Sequence, residues 1–176
     1  LGKANITFHI VGTGPGMEGL KNKISTINNF SIELHGSLLG EELSDMIDVC
    51  DVSFSMGTSA LETASRACPT VLLDFSFTPI LGCYKYNFLF KSKDFIVGRD
   101  LSKMTSKEKE DGMTLKQILN QIKTKYPLIS LKSFDYVKKS HSPASVKCLI
   151  VEALNKTTLN LDDVAKFAKR NRPYWR

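Results

Sequence analysis

No run of apolar residues in this chain approaches the roughly 18 to 20 that a helix needs to cross a bilayer. The first ten residues also lack the basic region and the long apolar stretch of a secretory signal. Cysteine is sparse: Cys50, Cys68, Cys83 and Cys148 stand far apart, form no Cys-x-x-Cys pair and have no histidine close by. That spacing excludes a disulfide miniprotein and offers no zinc-finger ligand pattern, so the four read as reduced core thiols in a reducing, cytoplasmic compartment. Low-complexity tracts are missing too. With 42% apolar residues and 24 Lys+Arg against 18 Asp+Glu, a formal net charge of +6, the composition excludes disorder and collagen and leaves a moderately basic globular chain. Its 176 residues suit one domain with its own core plus an appended helix. The first residue is leucine, which is expected of a piece of something longer.

What is there is a rhythm. Residues 5–11 are β-rich and stop at Gly12-Thr13-Gly14-Pro15-Gly16, after which Met17, Leu20, Ile24 and Ile27 share one helical face. The unit recurs with a strand over 30–35, a turn over 36–40, and a helix over 41–49 whose Leu43, Met46 and Ile47 face inward. A third copy runs through a strand at 51–55, a turn at Met56-Gly57-Thr58 and a helix over 59–67 that ends at Cys68-Pro69, before a further strand at 70–74. Short apolar strands alternating with helices predict an α/β fold: a parallel sheet with helices on both faces. Beyond residue 75 the expectations are a loop over 79–90, a strand over 94–98, an exposed connection over 102–112, and helices over 113–125, 132–139 and 143–155. The domain is thus expected over 1–155, with a basic helical tail over 156–176.

In open parallel sheets ligands collect beyond the carboxyl ends of the strands. Three segments fall there. Gly12 and Gly14 allow close backbone approach, but Met17 stands where a third dinucleotide-fingerprint glycine would be, and a tight strand-to-helix turn explains them equally. His35-Gly36-Ser37 follows the second strand. Gly57-Thr58-Ser59 opens a helix directly after a strand, offering N–H groups, hydroxyls and a positive dipole end to a phosphate, and Glu62 one turn on is placed to accept bonds from a ribose diol. The alternative there is a capping box, with Ser59 as N-cap and Glu62 returning the bond. A hydrolase elbow fails, because Leu61 occupies the second glycine position of Gly-x-Ser-x-Gly.

Taken in order, Ile10-Val11-Gly12-Thr13-Gly14-Pro15, Ile32 to Ser37, Glu41-Glu42-Leu43, Asp51-Val52-Ser53 and Leu61 to Val71 resemble the C-terminal, donor-binding half of GT-B glycosyltransferases, particularly glycosyltransferase family 4. The resemblance covers about the first 75 residues. It implies a Rossmann-like domain, half of a GT-B architecture, that binds a nucleotide-diphosphate sugar against an N-terminal Rossmann domain and lacks its own first strand-helix unit. It places Glu62 on the ribose hydroxyls, Gly57, Thr58 and Ser59 at the diphosphate, His35, Gly36 and Ser37 against the base, and Gly12 and Gly14 beside the donor. Phe54 stands where many members carry a glutamate that reads the donor sugar.

The implied reaction is sugar transfer to a saccharide or lipid-linked acceptor hydroxyl in polysaccharide or glycolipid synthesis. No metal and no cofactor are implied, and the general base is expected in the other half. Two alternatives stay open: a UDP-sugar 2-epimerase-like enzyme and a non-catalytic module of the same fold. The tail, with Lys166, Lys169, Arg170, Arg172, Arg176, Phe167, Tyr174 and Trp175, reads as a solvated helix, as one that crosses back to the N-terminal domain, or as a peripheral contact with the inner membrane face. No nucleic-acid partner is expected.

Overall fold

A computed structural model of the chain describes residues 6–24, 31–80, 84–93, 95–158 and 162. It divides into two compact units, Leu1–Asp51 and Val52–Arg176. The predicted α/β class holds in both.

The first unit is β1 (Thr7–Val11), α1 (Met17–Ile24), β2 (Ser31–Gly36) and α2 (Glu41–Asp48), with β1 and β2 parallel. The glycines at the turns carry the reversals: Gly12 at φ 138° and Gly40 at φ 58° adopt backbone that side chains disfavour. The Gly12 N–H donates to the Gly36 carbonyl at 2.6 Å, closing the end of the ladder. Each helix carries acid in its first turn, Glu18 in α1 and Glu41 and Glu42 in α2, and Lys21 and Lys23 close α1, an order that complements the helix dipole. Met17, Leu20 and Ile24 are half-buried, and so are Leu43 and Met46; Ile47 is buried. The pairing runs His9 to Glu33 and Ile10 to Leu34, then jumps to Val11 with Gly36, so His35 is the extra residue of a bulge.

The second unit begins with β3 (Ser53–Ser55), α3 (Gly57–Ser65) and β4 (Thr70–Leu72), a parallel βαβ step. A short β5 (Asn87–Phe88) then pairs antiparallel to β4, so this sheet is mixed where the sequence predicted only parallel strands. Among the described residues the strands make these two small sheets. β4 is buried along its length, and Val71 joins Phe88, Ile118, Ile122 and Ile129 in one core cluster while Leu72 joins Ala60, Ala64 and Leu89 in a second. Buried hydroxyls are paired: Thr63 Oγ1 lies 3.0 Å from Thr70 Oγ1, and Ser133 Oγ accepts the Thr70 N–H at 3.4 Å while donating to the Ile129 carbonyl at 3.0 Å. α3 ends as Ala67 turns left-handed at φ 59° and the Cys68 N–H bonds back to the Thr63 carbonyl.

The C-terminal part departs from expectation in three places. Residues 95–98 form a turn, not a strand, because Phe95 (φ 59°) and Gly98 (φ 138°) leave extended geometry. The polar stretch at 102–112 holds a helix of its own, α4 (Ser106–Glu110), opened by a capping box between Thr105 and Glu108. The gap expected between helices at 126–131 is helical, since α5 (Leu115–Tyr136) runs on past Pro127 with one kink at Lys125. One π turn at Val137–His141 leads to α6 (Pro143–Lys156), started by Ser142 and Pro143. α6 leaves Leu149 and Ile150 exposed, and Cys148 is an exposed thiol rather than a core one. No helix among the described residues is long and apolar enough to cross a membrane. Residues expected in elements or roles at Asn5, Ile27, Phe30, Cys83 and Asp94, and the basic side chains from Lys166 to Arg176, lie outside the described residues.

Candidate functional site

The predicted site residues fall into two groups. Gly12, Gly14, His35, Gly36 and Ser37 belong to the first unit; Gly57, Thr58, Ser59 and Glu62 belong to the second.

In the second unit they are gathered by one helix start. β3 ends at Ser55, Met56 is extended at φ −137°, and Gly57 at φ 62° makes the turn into α3. The Gly57 N–H is taken by the Val97 carbonyl at 2.6 Å. No side chain caps this end, and no acidic residue sits in its first turn. The capping-box alternative for Ser59 and Glu62 is therefore set aside: the helix begins two residues before Ser59, which puts Ser59 inside the first turn and Glu62 in the second. Thr58, Ser59 and Glu62 are all exposed, while Ala60, Thr63 and Ala64 on the opposite face are buried against the core. The inward side is fixed by small residues that let the helix lie close on the sheet. The outward side is left with two hydroxyls, a carboxylate and the positive end of the helix. Phe54 alternates with Ser53 and Ser55 along β3 and packs into the first core cluster, edge-on to Tyr86 at 5.9 Å, so its side chain is a core group.

A cleft of about 230 Å³ opens just beyond the carboxyl end of β4. Its floor is an ion pair that the sequence did not advertise, because its partners lie 25 residues apart. Asp74 accepts from the Arg99 backbone N–H at 2.9 Å, from Nε at 3.3 Å and from Nη2 at 3.1 Å. The Asp74 side chain is 6% exposed and that of Arg99 32%. Hydrogen bonding to Asp74 pushes the Arg99 guanidinium further toward the charged form. The Asp74 N–H donates to the Tyr84 hydroxyl at 2.8 Å, and burial pushes the Tyr84 phenol up to about 12. With Arg99 committed to Asp74, the further cations lining the cleft are Lys85 and Lys109, with Ser76 and Thr78 as hydroxyls. None of Gly57, Thr58, Ser59 and Glu62 lines it. The two features are nonetheless joined by one backbone segment, since Val97 holds Gly57 and Arg99 two residues on holds Asp74.

In the first unit, Gly12 and Gly36 meet through their backbones, and the Met17 N–H returns to the Gly14 carbonyl at 3.1 Å, which makes the Gly12–Gly16 segment a strand-to-helix turn. His35 lies within β2 rather than in the loop beyond it, and its ring faces His9 of β1; Ser37 alone of that trio lies past the strand and is exposed. His9, Glu33 and His35 form a cluster that sequence reading missed. Glu33 and His35 are two apart on one strand, but their convergence with His9 depends on strand register, which no local pattern discloses.

Comparison with protein-family models, with curated proteins and with solved structures finds no match to this chain.

Proposed function

We propose that the chain is the donor-binding half of a glycosyltransferase, holding the diphosphate of a nucleotide sugar at the start of α3. The observation that carries this reading is the N-terminus of α3, which has no side-chain cap, follows a parallel strand and presents Thr58, Ser59 and Glu62 on one exposed face. An anion seated there meets the N–H groups of the first turn beyond Gly57, whose own N–H is taken by Val97, and the dipole's positive end, an interaction worth about 0.3–1 kcal/mol at an exposed site. Glu62, one turn on, accepts from two adjacent hydroxyls of a ribose, which fixes the nucleoside end relative to the phosphates. The cleft at Asp74, reached through the Val97–Arg99 segment, is the adjoining concavity for the sugar end, with Lys85 and Lys109 available to groups carrying negative charge.

The chemistry this arrangement supports is leaving-group stabilisation. Glycosyl transfer develops negative charge on the departing diphosphate, and fixed dipoles that point at that charge lower the barrier without reorganising. The sugar passes to an acceptor hydroxyl, and the base that deprotonates it is expected in the partner domain of the same protein. Phe54 packs in the core, so sugar recognition in this chain has to come from other residues.

The test is calorimetric titration of the full chain with UDP, GDP and ADP, repeated for Glu62→Gln. We expect one nucleotide to bind and the substitution to weaken it by about 1–3 kcal/mol, the cost of losing charge-assisted bonds. Glu62 is exposed, so its fold stability should move by no more than about 0.5 kcal/mol. Equal affinity in both proteins removes Glu62 from the site, and heat from none of the three nucleotides removes the donor-binding reading.

A further inference from the structure

His9, Glu33 and His35 bring three donor atoms to one point on the β1–β2 pair. His9 Nδ1 lies 2.9 Å from His35 Nε2 and 3.3 Å from Glu33 Oε2, and His35 Nε2 lies 3.7 Å from the same oxygen. Two features of the backbone produce this. His9 and Glu33 are direct partners across the parallel ladder, which places their side chains side by side. The bulge then makes His35 the extra residue of β2 and turns its ring onto His9, with centroids 5.1 Å apart.

Hydrogen bonding among the three satisfies this arrangement poorly. A neutral imidazole carries one N–H, so a proton on His9 Nδ1 serves either His35 or Glu33, and the remaining lone pairs still converge on the same triangle. A cation in the triangle is met by all three donors at once. Donors about 2.0–2.2 Å from a shared zinc ion stand about 3.3–3.6 Å apart at tetrahedral angles, and the three observed separations span that range. The side chains of His9 and His35 are 26% and 23% exposed and that of Glu33 is 51% exposed, so the rings are held by their surroundings while one side of the cluster stays open to solvent.

We infer that His9, Glu33 and His35 bind a divalent transition-metal ion of the zinc type, with water in the open coordination position. The ligand chemistry selects the class: two imidazoles and one carboxylate suit Zn²⁺ and its borderline neighbours, whereas Mg²⁺ and Ca²⁺ favour all-oxygen sites. The ion ties β1 to β2 at the bulge, where the ladder is irregular. This inference stands apart from the nucleotide reading, since all three ligands belong to the first unit and neither Glu62 nor the start of α3 takes part.

The experiment is titration of the metal-stripped full chain with ZnCl₂ by calorimetry, and with CoCl₂ by visible absorption, for the natural protein and for His9→Asn, His35→Asn and Glu33→Gln. We expect one equivalent of Zn²⁺, a Co²⁺ spectrum of low-coordinate N/O type, and a loss of about tenfold or more in affinity in each variant. Excess Mg²⁺ should leave the Zn²⁺ isotherm unchanged. Ring-proton NMR shifts of His9 and His35, moving together at one equivalent while the amide spectrum elsewhere stays in place, separate ligation from a folding effect. Absence of Zn²⁺ binding at millimolar concentration overturns the proposal. So does an affinity that the three substitutions leave intact, because the ion then sits elsewhere on the chain.

Discussion

The two units are built from the same βαβ step and differ in what they bury. In the second, β4 is fully enclosed, and Val71, Phe88, Leu89 and Ile118 sit at or below 1% exposure. In the first, Ile47 is the only large apolar side chain of the described residues to reach burial, while Phe8 and Val11 of β1 stay 47% and 39% exposed. A parallel two-stranded ladder with one helix crossing over gives hydrogen bonds but little enclosed volume; adding β5, α5 and its kinked second half gives the other ladder a roof and a floor. The lesson is that the local unit is set by sequence pattern, whereas its stability is set by how many further elements close over it.

The sharpest way to probe that contrast is a matched pair of truncations. Phe88→Ala should cost about 3–5 kcal/mol in urea unfolding, the range for removing a buried aromatic ring. Phe8→Ala, half in water, should cost no more than about 1 kcal/mol. Equal losses would mean that the first unit is packed as firmly as the second. A smaller effect is expected at the floor of the cleft: Asp74→Asn keeps the shape and removes the charge facing Arg99, at a cost of about 1–3 kcal/mol, moderated because Arg99 keeps about a third of its side chain in water. Urea midpoints compared with those of Arg99→Lys, which keeps a charge but loses the planar fork, check whether geometry or charge matters more.

The smallest expected effect is a pH dependence confined to the second unit. Burial lowers the His141 pKa from its ordinary value of 6.5, where the ring packs against Phe95 and reaches the Tyr136 hydroxyl at 3.3 Å. The unfolded chain therefore binds the proton more readily than the folded one. His141's contribution is fully present above the unfolded value and is lost as pH falls through the folded one. His141→Gln should flatten the acid side of the stability profile slightly, as read from thermal midpoints between neutral and mildly acidic pH.

Much of the fold was legible because alternation and helical spacing are local. The order β1, α1, β2, α2, β3, α3, β4 follows from runs such as residues 7–11 and 17–24 broken by glycine. Two misreadings have physical causes. Residues 94–98 carry the β-rich pattern Phe95-Ile96-Val97, but the left-handed backbone of Phe95 and Gly98 holds the described part as a turn that serves the start of α3. The sequence leaves 126–131 between two helices, yet a kink at Lys125 lets one helix continue past Pro127 and carry Ile129 and Ser133 into the core. The candidate site was legible where one segment carries it, as at Gly57 to Glu62. It was hidden where separate segments meet: Asp74 with Arg99, and His9 with Glu33 and His35, are products of register and chain path.

The proposed donor site requires an anion to bind at the start of α3. An NMR titration of the full chain with UDP, GDP and ADP, followed amide by amide, tests it. The expected result is saturable shifts centred on Gly57, Thr58, Ser59 and Glu62 for one nucleotide, extending toward Val97 to Arg99. Saturable shifts confined to other residues, or none at millimolar nucleotide, would contradict it.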